Sequence, residues 1–222
     1  MTMARPLNFV MISPHFPENF ETFAHRLSEN GIHTLGIADA PYEALSQGLK
    51  DHLTEYYRVD NMEDYDQVYR AVAYFASKYG RIDRIESHNE YWLELDARLR
   101  TDFNVFGYKN EDMLAIKTKA KMKEIFRQSG LKVARGQVFH SDDQARKLAQ
   151  ELGFPVIIKP NSGVGASDTY KIKSPKELED FFTYQTPGVE YIMEEFIDGD
   201  IVTFDGLTDH DGKIVFYASL EY

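Results

Sequence analysis

Residues 153–167 read GFPVIIKPNSGVGAS, an apolar run that ends on Lys159 and Pro160 and passes into a loop with two spaced glycines. Val156, Ile157 and Ile158 predict a buried strand, and the loop behind them has little side-chain bulk to hold a ligand away. Lys159 puts one fixed cation at the strand end. Gly163 and Gly165 can take positive φ and let amide N–H groups converge on phosphate oxygens. The same letters also fit a strand with a snorkelling lysine and an ordinary glycine turn. The neighbouring segments must decide between the two.

Two familiar phosphate loops are excluded first. No Gly-Lys-Ser/Thr follows the loop, and the lysine precedes the glycines, so this is not a P-loop. The N-terminal apolar run Leu7 to Ile12 leads into SPHFPENF, which has no glycine and therefore no dinucleotide fingerprint.

Working outward, both flanks alternate strand-like and helix-like segments. On the N-terminal side, Leu7 to Ile12 and His33 to Ala38 predict strands, with Glu18 to Asn30 a helix between them, closed by Gly31. Tyr56 to Val59 and Arg81 to Ser87 predict two more strands. The segment Met62 to Tyr79, stopped by Gly80, carries Val68, Val72, Phe75 and Tyr79 at helical spacing, and Tyr91 to Arg100 is helical as well. This β-α order predicts a parallel, doubly wound, Rossmann-like domain over residues 1–115.

Glu111 to Gln128 reads as one helix ended by Gly130. Its lysines 117, 119, 121 and 123 alternate and cannot share one face, so one or two at most belong to a site. A smaller α+β unit over 116–195 follows, with strands Val133 to Phe139, Val156 to Lys159, Thr169 to Ile172 and Val189 to Glu195. The helix Asp142 to Leu152 and the helix after Ser174 each open on a capping box, with Gln144 three residues after Ser141 and Glu177 three after Ser174. Residues 196–222 change to alternating strands around Asp211-Gly212, the start of an antiparallel third unit.

Composition bounds the function. The chain has 222 residues, 43% of them hydrophobic, and can bury a substantial core. With 36 acidic against 25 basic residues the formal net charge is -11, which argues against a nucleic-acid partner. No apolar run is long enough to span a bilayer, so no membrane role is expected. The absence of cysteine rules out disulfides, thiolate metal sites and thiol catalysis, and fits a cytoplasmic protein.

In order and spacing, FPVIIKPNSGVGAS, then IMEEFIDGD (residues 192–200) and TKAKMKEIFRQSG (118–130) resemble the ATP-grasp superfamily, which includes biotin carboxylase and carbamoyl phosphate synthetase. The resemblance covers almost the whole chain, including the Rossmann-like domain that precedes the ATP-grasp lobes. It implies a part of a ligase that uses ATP to activate a small carboxylate as an acyl phosphate, for attack by an amine or similar nucleophile.

By that resemblance Lys119, eleven residues before Gly130, and Lys159 contact the nucleotide phosphates. The loop Ser162, Gly163, Gly165, Ala166 and Ser167 matches the flap that closes over the β and γ phosphates. Glu194 lies where a glutamate meets the adenine amino group, and Glu195, Phe196 and Ile197 form the segment whose main chain reads the adenine edge. Asp200 takes the place of a ribose-binding acid, and Ile157 and Met193 could sandwich the ring. Glu90, at the end of a predicted strand, is comparable to a position near the acceptor substrate. Simpler readings stand beside these: a solvated lysine at 119, a turn acid at 200 and a helix N-terminal acid at 90. Asp168 departs from the pattern, because an acid beside triphosphate is unfavourable unless it points away or helps to hold magnesium.

Magnesium is implied by the family, but its ligands match no residue of this chain. The chain alone is therefore expected to be a poor catalyst. The alternatives are a non-catalytic nucleotide-binding or interaction module, or half of a split enzyme completed by another subunit; a homodimer is the other partner considered.

Overall fold

A computed structural model describes residues 5–163 and 168–222. The chain divides into two compact units, Met1–Met122 and Lys123–Tyr222.

The first unit is built on four parallel strands: β1 (Asn8–Ile12), β2 (His33–Ala38), β3 (Glu55–Arg58) and β4 (Arg84–Glu86), in the order β3-β2-β1-β4. Helices α1 (Glu21–Glu29), α2 (Gln47–His52), α3 (Tyr65–Tyr79) and α4 (Leu93–Asp102) accompany them. Strands covered on both faces should be apolar on both, and β1 shows it. Its Val10 and Ile12 enter a core with Val68, Val72 and Phe75 of α3 and Leu99 of α4, while Met11 packs with Ala24 of α1 and Leu49 of α2.

Helix α3 starts where the Asp64 side chain accepts the Asp66 N–H and stops at Gly80, whose φ of 87° suits glycine. The short α2 was not expected; it carries Leu49 as its single buried residue, too little periodicity to read, although Ser46 caps it. Order β2-β1-β4 makes the chain reverse direction across the sheet beside β1. The crevice at that switch point, outside the strand C-termini, is where open α/β sheets receive ligands.

The polar anchor of this unit lies beside β4. Arg100, with its side chain only 4% exposed, donates Nε to the Ile85 carbonyl at 2.9 Å, Nη2 to Glu86 at 2.6 Å and Nη1 to the Tyr108 carbonyl at 3.2 Å. Asp96 is buried beside it and accepts the Ser87 N–H and hydroxyl through Oδ2, while Oδ1 has no hydrogen-bond partner. Burial pushes the Asp96 carboxyl up to about 6 from its usual 3.8, against the opposing pull of Ser87 and Arg100. Burial likewise raises Glu86 despite its ion pair with Arg100.

For Asp96 the folded state holds the proton more tightly than the unfolded chain. Its contribution to stability is therefore full below about pH 4 and is lost as pH rises through about 6. Replacing Asp96 with Asn removes this dependence. The unfolding free energy of Asp96→Asn relative to the unaltered chain should rise by on the order of 3 kcal/mol between pH 4 and pH 7, measured by urea titration at each pH. A difference that stays flat with pH would contradict the burial argument.

The segment predicted as one helix over Glu111 to Gln128 is two, α5 (Met113–Lys117) and α6 (Lys119–Gln128). Thr118 between them is extended, with φ −106° and ψ 126°, and its hydroxyl is turned back to the Leu114 carbonyl, a local bond that competes with the helix. The division between the units falls within α6, grouping Lys119 with the first and Lys123 with the second.

The second unit holds an antiparallel sheet of β5 (Gly136–Phe139), β6 (Val156–Pro160), β7 (Tyr170–Ile172) and β8 (Tyr191–Glu195), in the order β5-β8-β6-β7. Helices α7 (Asp142–Leu152) and α8 (Pro175–Tyr184) bury one face over Val156, Ile158, Tyr191 and Met193. Both N-cap serines act as expected, Ser141 accepting the Gln144 N–H and Ser174 the Glu177 N–H, but the boxes do not close on the cap: Gln144 and Glu177 accept the N–H of His140 and Lys173, one residue before it. Strands β9 (Val202–Thr208) and β10 (Ile214–Glu221) form a separate hairpin around Asp211-Gly212, with Phe204, Leu207, Phe216 and Tyr217 exposed. Among the described residues, no helix is long and apolar enough to cross a membrane.

Candidate functional site

Strand alternation builds the site. In the β6–β8 ladder Ile157 stands opposite Glu194 and Ile158 opposite Met193, so Ile157, Lys159 and Glu194 share the face turned away from α7 and α8. Lys159 lies diagonally across from Glu194, and its Nζ is 2.8 Å from Glu194 Oε2. Met193 lies on the other face, fully buried in the helix-covered core, and so cannot sandwich a ring with Ile157; that expectation is corrected.

Glu194 has a second cation. Lys123, on α6, places Nζ 2.9 Å from Glu194 Oε1 and donates to the Ala134 carbonyl at 2.9 Å. The contact with Oε1 is close in distance but is not aligned as a hydrogen bond. Gly136 permits this crowding. A Cβ on it would stand 2.2 Å from the Met193 carbonyl oxygen and 2.7 Å from Glu194 Cα.

Beyond Glu194 the chain runs to the surface. The Glu195 carboxylate accepts the Arg135 N–H and Nε, both at 2.7 Å, which hold it below the usual carboxylate range. The Glu195 N–H is donated to the Arg135 carbonyl. Phe196 lies under the Lys171 ammonium, 3.4 Å from the ring centroid, and Ile197 and Asp200 are exposed. Ser162 and Gly163 are exposed at the end of β6, and Gly163 has φ 123°. Gly165, Ala166 and Ser167 lie outside the described residues. Asp168 has φ 57° and accepts the Tyr170 hydroxyl at 3.3 Å.

Lys119 is the first residue of α6. Of its lysine neighbours, Lys117 pairs with Glu94 and Lys121 is exposed. Glu90 opens a 3-10 turn capped by Asn89 and is exposed. Two residues before it, His88 is exposed, has φ 54° and stacks on Phe23 with ring centroids 4.2 Å apart; partial desolvation and then Arg100 hold its pKa down. Lys123, the lysine of α6 that reaches Glu194, was not singled out by sequence reasoning, because nothing local separates it from Lys117, Lys119 and Lys121.

A parallel α/β sheet followed by antiparallel sheets matches the architecture of solved ATP-grasp proteins. The biotin carboxylase domain dimer of Hydrogenobacter thermophilus 2-oxoglutarate carboxylase, solved with MgADP, ADP and bicarbonate, superposes with a TM-score of 0.73 at 19% identity, over 95% of this chain and 49% of that one. The L-amino acid ligase from Bacillus licheniformis gives 0.68 at 18% identity, over 96% and 50%. These likenesses establish the fold. Residues 118–220 match the family model for the carbamoyl-phosphate synthase L chain ATP binding domain, an ATP-grasp domain. In sequence, the L-arginine-specific L-amino acid ligase of Bacillus subtilis is 28% identical over 178 residues, 80% of this chain and 42% of that protein. The carbamoyl phosphate synthase large chain of Thermotoga maritima is 27% identical over 120 residues, 53% of this chain and 11% of that protein. The chain thus spans less than half the length of these curated relatives.

Proposed function

We propose that this chain is the ATP-holding part of a ligase that converts a small carboxylate to an acyl phosphate, which an amine or similar nucleophile then attacks. The observation that carries the reading is the Lys159 ammonium beside buried Glu194, at a strand end inside a segment that matches an ATP-binding domain. Phosphoryl transfer asks a protein mainly for positioning and for charge around the moving group. Lys119 and Lys159 would hold the phosphates. Backbone amides of Ser162 to Ser167 would close over them and exclude water, which otherwise destroys an acyl phosphate.

Glu194, the Glu195 carbonyl, Phe196 and Ile197 would read the adenine, and Asp200 the ribose hydroxyls. The acceptor would lie near Glu90, at the switch point of the parallel sheet. Magnesium, when bound to the nucleotide, would supply much of the stabilisation of the transferred charge. Among the described residues no three His, Cys, Asp or Glu side chains converge to hold a metal, so no residue here is assigned to it.

Calorimetric titration with ATP, with and without magnesium, tests the reading. Binding by the unaltered chain should weaken about 10- to 100-fold in Lys159→Met, the range for losing a charge-assisted contact. Equal affinity in the two proteins would remove Lys159 from the phosphate role.

A further inference from the structure

Lys123 is not placed like a surface lysine. Its side chain is 13% exposed, and its ammonium is anchored on the Ala134 carbonyl just ahead of β5 and turned toward Glu194. Two ammonium groups therefore flank one carboxylate whose own side chain is 7% exposed. One cation would suffice to neutralise Glu194. Stripping a buried carboxylate of its last partner is costly, since water cannot replace the lost charge.

We infer that Lys123 is a positioning residue of the nucleotide site: it is the standing counter-ion of Glu194, which frees Lys159 to move to a phosphate. The inference rests on the ATP-binding reading above. When a polyphosphate draws Lys159 away, Glu194 keeps Lys123 and is never left alone in the protein. Without Lys123, Lys159 would have to serve two anions at once, Glu194 and the phosphate, and the ligand would have to win it from a buried partner.

This arrangement separates ligands by their phosphates and not by their base. Adenosine asks nothing of Lys159, whereas ADP does. A lysine that merely held the pocket together would support both ligands equally.

The experiment is titration of the chain with ADP and with adenosine, followed by ligand-observed NMR. Two variants remove the charge: Lys123→Met, and Lys123→Gln, which retains a donor for the Ala134 carbonyl and so guards against collapse of the fold. The ADP affinity of either variant should fall about tenfold, with adenosine within about twofold of the unaltered chain. Lys123→Arg should restore most of the ADP affinity. Adding Lys123→Met to Lys159→Met should cost little more than Lys159→Met alone, because the two act through one carboxylate. An equal loss of both ligands, or no loss of either, overturns the inference and leaves the ATP-binding reading standing. An unaltered chain that binds neither ligand overturns both.

Discussion

Arg100→Met should lower the unfolding free energy of the first unit by about 3–5 kcal/mol, the range for removing one partner of a buried ion pair. Methionine can fill much of the volume but offers no donors. Three acceptors would be left behind: the Ile85 carbonyl, the Glu86 carboxylate and the Tyr108 carbonyl. Glu86 is already hard to ionise with Arg100 present, and without it the burial penalty stands unopposed by that contact. The packing term adds to this, because a Cβ on Gly107 would be 2.9 Å from Arg100 Cδ, so the loop before Tyr108 closes tightly on this side chain. Urea denaturation followed by the fluorescence of Trp92, the single tryptophan, reads the effect; Trp92 packs against the core of this unit. A midpoint within error of the unaltered chain would mean that Arg100 is not the anchor its contacts make it.

Gly136→Ala should cost the second unit about 3 kcal/mol, at the upper end of overpacking penalties. What the added methyl would meet is backbone, the Met193 carbonyl oxygen and Glu194 Cα, and neither can rotate aside. Strand β5 would have to move off β8, opening the ladder that pairs Gly136 with Glu194 and shifting Glu194 against its two lysines. The substitution should therefore lower the midpoint of urea denaturation, followed by far-UV circular dichroism, and weaken ATP binding together. Loss of binding at unchanged stability would locate the effect in the site and not in strand packing.

Much of this fold was legible because its signals are local. β1 announces itself through apolar residues on both faces, α3 through its period and its terminal glycine, and α7 and α8 through their N-cap serines. What was missed depended on distant partners. The Ala134 carbonyl and Glu194 select Lys123, and neither is visible from the helix that carries it. Thr118 interrupts a helical pattern that α5 and α6 continue on either side, so periodicity alone could not find the break. The placement of Met193 was available in principle. Neighbouring residues of a strand point to opposite faces, so if Glu194 turns toward a ligand, Met193 must turn away.

The three charges gathered at Glu194 sum to one positive charge within a chain of formal net charge -11. Far field and near field therefore have opposite signs for an anionic ligand. From a distance the molecule repels a nucleotide, and attraction begins only where the lysines are within reach. Salt acts unequally on the two, since a Debye length of about 8 Å at physiological ionic strength screens the distant repulsion while partly buried groups at contact are screened far less. On the nucleotide-binding reading proposed above, the chain would recognise an anion on arrival without drawing it in from afar.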